Sequence, residues 1–141
     1  MKKLFCLLTV CCFLAGCGSS DQSLLKVPVV LNQKPLVIVP QHSLSAPFHF
    51  NILCVAVPPE YQLDDSSLRD PNGERVVIQA TLATTDGHKH LFTQDGVLAG
   101  RYVCLQADPS IGPGSHYKEV SISSSAPFRT SEIRWISTDN L

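Results

Sequence analysis

The chain has 141 residues, room for one domain at roughly 100–200 residues per domain. Charged residues make up 16% of it and apolar residues 44%, a balance that excludes a disordered chain. Eleven Lys and Arg stand against twelve Asp and Glu, so there is no basic field with which to grip nucleic acid. Ten prolines and eight glycines argue against long helices and for short strands joined by turns.

Residues 1–16 read as a signal peptide. Lys2 and Lys3 give the charged start, and Leu4 to Leu14 is an apolar run. That run is about half of what a helix needs to cross a ~30 Å hydrocarbon core. It closes in Leu14-Ala15-Gly16-Cys17, which resembles the lipobox of bacterial lipoproteins. The resemblance covers the first twenty residues. It implies a diacylglycerol thioether on Cys17, cleavage before it and acylation of the new amine. Several acyl chains at ~0.8 kcal/mol per buried methylene are enough for stable anchoring. Gly18 stands where an aspartate would imply inner-membrane retention, so the expected location is the periplasmic face of the outer membrane.

Processing changes the cysteine count. Cys6, Cys11 and Cys12 leave with the signal and Cys17 carries lipid, so Cys54 and Cys104 remain. In an oxidising compartment the pair is expected to be bridged, with two separate buried thiols as the alternative. No C-x-x-C arrangement points to redox catalysis. Without Lys2 and Lys3, nine cations face twelve anions, which is mildly acidic.

Along the mature chain, residues 17–26 read as the lipidated terminus and a short polar tether, and residues 27–141 as a single domain. Val27 to Leu31 and Leu36 to Val39 are short β-branched runs cut by Pro28, Pro35 and Pro40, which suits edge strands. Pro47 to Val57 alternates, with Phe48, Phe50, Ile52 and Cys54 on one face and His49 and Asn51 on the other; beyond Asn51 both faces turn apolar, as in a strand buried on both sides or near a sheet crossing. Pro58-Pro59 ends it, and Glu60 to Gly73 reads as a loop closed by Asp70-Pro71-Asn72-Gly73.

Arg75 to Thr84 carries Val76, Ile78, Ala80 and Leu82 on one face. Asp86-Gly87 is a hairpin signal returning the chain through His88 to Thr93. Asp95-Gly96 suggests a further connection before a strand from Arg101 to Ala107. After a Pro/Gly-rich loop, Tyr117 to Ser124 and Thr130 to Ser137 alternate again, the latter with Ile133 and Trp135 against Glu132 and Arg134.

Seven to eight short strands with closely spaced turns predict an all-β antiparallel sandwich. Gly100-Arg101-Tyr102-Val103-Cys104 resembles strand F of immunoglobulin domains, whose tyrosine two residues before the second cysteine forms a tyrosine corner. The resemblance implies Cys54 as the partner on strand B. Leu98 replaces the family's aspartate, and Trp135 follows both cysteines instead of lying between them. The expectation is therefore an Ig-like or jelly-roll sandwich, not a true immunoglobulin domain.

Candidate sites are few. His88 and His90 flank Lys89 beyond the hairpin turn, and i and i+2 on a strand share a face, the spacing of a metal pair. A metal would need further ligands, and two exposed histidines beside a turn are the better reading, so no metal site is expected. Asp64, Asp65, Asp70, Asn72 and Glu74 hold part of a calcium-loop pattern, without its full spacing. Tyr117 and Phe128 are candidates for a partly exposed binding edge, while Trp135 belongs to the core. No G-x-S-x-G, H-E-x-x-H or Walker pattern supports catalysis, and no cofactor is expected. The sequence thus points to a non-catalytic envelope lipoprotein that meets the membrane through its lipid and a protein partner in the periplasm. An inhibitor, immunity or assembly role would suit it. A small module for glycan or metal is the alternative.

Overall fold

The computed structural model describes residues 19–48, 50–64, 67–85, 89–106 and 115–139. Among these the protein has fourteen strands and no helix. The all-β expectation holds, but the strand count is nearly double the predicted one, because segments too short or too polar to show a period still pair.

The first layer contains β1 (Ser19–Leu25), β14 (Ile133–Thr138), β5 (Phe50–Ala56) and β11 (Tyr102–Gln106), hydrogen-bonded in that order. β10 (Lys89–Ala99) pairs with β11 through its second half and with β9 (Ile78–Thr84) through its first. The register shifts between Thr93 and Val97, so one long strand turns the corner between layers. The second layer continues through β12 (Ser115–Ser124) to β3 (Leu36–Ile38), with β4 (Leu44–Ala46) also on β12. All these pairings are antiparallel.

Two small sheets complete the fold. β2 (Val29–Leu31) pairs with β13 (Phe128–Thr130), and β6 (Gln62–Asp64), β7 (Ser67–Arg69) and β8 (Arg75–Val76) form a meander. The meander corrects the loop expected from Glu60 to Gly73. The turn within it is as predicted: Gly73 N–H donates to Asp70 O at 2.9 Å, and Gly73 adopts φ +83°. Asp95-Gly96 opens no connection, since both residues lie inside β10. Instead Gly100-Arg101 makes the two-residue turn between paired Ala99 and Tyr102, with Gly100 at φ +62° supplying the left-handed first position.

Period-2 alternation decides which side chains enter. Leu53, Val55, Val103, Leu105, Ile133 and Trp135 come from the first layer; Ile78, Leu82, Tyr117, Val120 and Ile122 come from the second. All are buried, and the Tyr117 and Trp135 rings meet edge-on between the layers at 5.4 Å. On β5 the interior face is Asn51, Leu53 and Val55, not the run containing Phe50 and Ile52. The buried Asn51 amide donates to Phe48 O at 3.3 Å, and Phe48 N–H donates to Ser137 Oγ at 3.1 Å. With Thr84 and Thr138, these residues make that end of the interior polar.

The residues expected to be a tether also require correction. Residues 19–25 are β1, pairing with β14 from Ser19↔Thr138 to Leu25↔Ile133, so most of the expected tether is a strand of the sheet. A polar sequence suffices because an edge strand with one solvated face needs few apolar side chains.

Candidate binding surface

Cys54 and Cys104 are joined by a disulfide, resolving the choice left open by the sequence. They lie directly opposite each other on neighbouring β5 and β11, with Cα atoms 4.0 Å apart. The immunoglobulin arrangement, a bridge between two sheets, is therefore not the one here. Since Leu53 and Val55 point inward, the bridge sits on the outer face of its layer. Tyr102 shares that face but forms no tyrosine corner: its hydroxyl donates to Glu132 Oε2 at 2.8 Å. Arg134, 5.9 Å from the Tyr102 ring centre, also pairs with Asp21 of β1. Hydrogen bonding to Glu132, then desolvation, then the carboxylate charge raise the Tyr102 pKa above the ordinary tyrosine value.

The sequence-predicted binding residues divide. Tyr117 and Phe128 are wholly buried, which overturns the exposed edge expected of them. Phe128 turns inward because on β13 it alternates with exposed Arg129, and it packs edge-on against Tyr61 at 5.0 Å. Cys17 and His88 lie outside the described residues, and His90 falls on β10. Asp65 also lies outside them. Asp70 Oδ1 is taken up by the N–H groups of Asn72 and Glu74, both at 2.9 Å, and Asp64 pairs with Arg69 at 3.1 Å. Among the described residues no group of three or more His, Cys, Asp or Glu is placed to hold a metal.

A more constructed surface lies where β5 ends. Pro28, Val57, Pro58, Pro59, Glu60, Arg129 and Ser131 line an open recess of about 340 Å³. Its wall is held from several sides. Val57 N–H donates to Arg101 O at 2.8 Å, Ala56 N–H to Glu132 O at 3.0 Å and Tyr61 N–H to Pro58 O at 3.2 Å. The Arg101 guanidinium donates to the carbonyls of Pro58 and Tyr61. Thr130 Oγ1 lies 2.8 Å from Ala56 O and 3.1 Å from Glu132 O. Tyr61 hydroxyl donates to Pro127 O at 3.2 Å, and its pKa is raised by burial first, then by Asp70 and Glu60.

These bonds and two fixed proline φ angles leave the recess little conformational entropy to lose on binding. Around it are exposed Glu60 and Arg129, with Val30, 58% exposed, opposite Arg129 in register. Val27 is 61% exposed nearby in sequence. Apolar groups with one cation and one anion suit polypeptide contact. Sequence reasoning took Pro58-Pro59 only as a strand terminator. Their pairing with an aromatic two residues on was the available signal.

No protein-family model matches the chain, and no curated protein matches it.

Proposed function

We propose that the protein is a non-catalytic lipoprotein of the outer membrane's periplasmic face, anchored through Cys17, which binds a macromolecular partner of the envelope in an inhibitory, immunity or assembly role. The carrying observation is the Leu14-Ala15-Gly16-Cys17 sequence, two residues ahead of the strand Ser19–Leu25 of the β fold. The stiffened recess with its exposed valines and its Glu60 and Arg129 supports a binding role. Specific, rigid surfaces of this kind gain affinity by avoiding ordering costs, and confinement to a membrane raises the effective concentration near a target.

Two measurements test it. The mass of the protein isolated from a bacterial envelope should include diacylglycerol on Cys17, and Cys17→Ser should move it to the soluble periplasmic fraction. A photo-crosslinking residue at Glu60 should give an adduct of one defined mass that is missing when the residue is placed at Asp139. A bare Cys17 overturns the anchoring, and identical adduct patterns at both positions overturn the binding surface.

A further inference from the structure

The start of β1 fixes how an anchored domain must stand. Register places Ser19 beside Thr138, and Thr138 beside Phe50, so the beginnings of β1 and β5 and the end of β14 share one pole. The second layer contributes to the same pole. Ala46, at the end of β4, pairs with Ser115 at the start of β12, and the next described residues lead to Phe48, bonded to Ser137. Thr84 pairs with Tyr117, and exposed Thr85 donates its N–H to His116 O at 3.1 Å. The opposite pole holds Leu25 beside Ile133, Val55 beside Ile133, and Tyr102 beside Ala56, after which come Ser131, Val57, Pro58 and Pro59 of the recess.

Only two peptide steps separate Cys17 from Ser19, at most about 7 Å of extended chain. β1 then runs about 20 Å, at roughly 3.3 Å per residue, to the level of Ile133. Six register positions lock it to β14, so it cannot peel away to serve as a longer leash without breaking a sheet edge. We propose that the pole of Ser19, Phe48, Thr85 and Thr138 lies against the bilayer surface, and that the recess of Pro58, Glu60 and Arg129 is held away from it, facing the periplasm. Lipid headgroups are the occupant of the first pole. Exposed Lys118 and His116 near it provide donors for phosphate oxygens. This orientation rests on lipidation of Cys17 and adds to it which surface a partner in the periplasm can reach.

Full-length protein carrying Thr85→Cys or Glu60→Cys would be produced with its own leader and purified from membranes. Its mass would be checked for the lipid on Cys17. Each added thiol would be labelled with a fluorophore under non-reducing conditions and the protein placed in phosphatidylethanolamine–phosphatidylglycerol vesicles containing nitroxide-headgroup lipid. Quenching at position 85 is expected to exceed that at position 60 several-fold. Equal quenching, or more at position 60, in protein of verified lipid mass overturns the orientation while leaving the anchor standing. Absence of the lipid mass overturns both. Circular dichroism matching the unsubstituted protein shows that each variant is folded, and a second near-pole position, Asp139→Cys, must report as position 85 does.

Discussion

Tyr102 shows how one side chain can tie three strands. From β11 it crosses β5 to reach Glu132 just ahead of β14, and Arg134 binds both this group and Asp21 on β1. Each exposed ion pair stabilises by only about 0–1 kcal/mol, so the network's value is positional. Its pH signature has a definite sign. Tyr102 titrates above the usual ~10 in the folded state because its proton is engaged by Glu132. Its contribution is therefore complete below the unfolded pKa and is lost as pH rises through the folded one. Glu132→Ala should let tyrosinate absorbance develop at lower pH and soften the alkaline fall in melting temperature. Unchanged titration would mean that the bond contributes nothing in solution. Thr130 makes a related test at a buried site: Thr130→Val keeps the shape but leaves Ala56 O and Glu132 O without the hydroxyl. Urea unfolding should report a loss of about 1–3 kcal/mol.

Among the elements, those with a strict period were legible. Arg75 to Thr84 and Thr130 to Ser137 display in sequence the same faces that they bury, as do Val120 and Ile122 of β12, whereas Tyr117 enters the core out of phase across a register shift. Beyond Asn51 both faces of β5 hold buried residues, as its apolar run suggests, but which face carries the interior was not legible, because polar Asn51 enters it with Leu53 and Val55. Alternation cannot register a polar residue whose amide finds a backbone partner inside. β1 escaped for the opposite reason: Ser19 to Ser23 carries almost no apolar signal, and its pairing is backbone chemistry supplied by β14. The recess was invisible for a third reason, since its wall is assembled by carbonyl contacts from Arg101 and Thr130, far away in sequence. The disulfide, by contrast, was anticipated from compartment and cysteine count, while its position within one layer was not. It closes a separation of 50 residues, and in the chain-entropy picture that constraint stabilises by about 4 kcal/mol. Cys54→Ser and Cys104→Ser should each lower the melting temperature under oxidising conditions. Adding reductant should lower the unsubstituted protein toward them and leave the variants where they are.

For the whole molecule, the question is whether two layers amount to one cooperative unit. β10 belongs to both, hydrogen-bonded to β11 at one end and β9 at the other, so neither layer can dissolve without fraying a strand of its neighbour. Trp135 from the first layer and Tyr117 from the second meet at the centre, and both are nearly inaccessible to solvent. Removing the indole forfeits contacts on both sides, and Trp135→Ala should cost about 3–5 kcal/mol. Because Trp135 is the single tryptophan of the chain, its fluorescence reports the inter-layer contact alone, whereas far-ultraviolet circular dichroism reports all strands. A shared strand and a shared core require the two signals to follow one urea transition with a common midpoint. If fluorescence changed first, the layers would separate while their sheets persisted, and β10 would be acting as a hinge between two bodies.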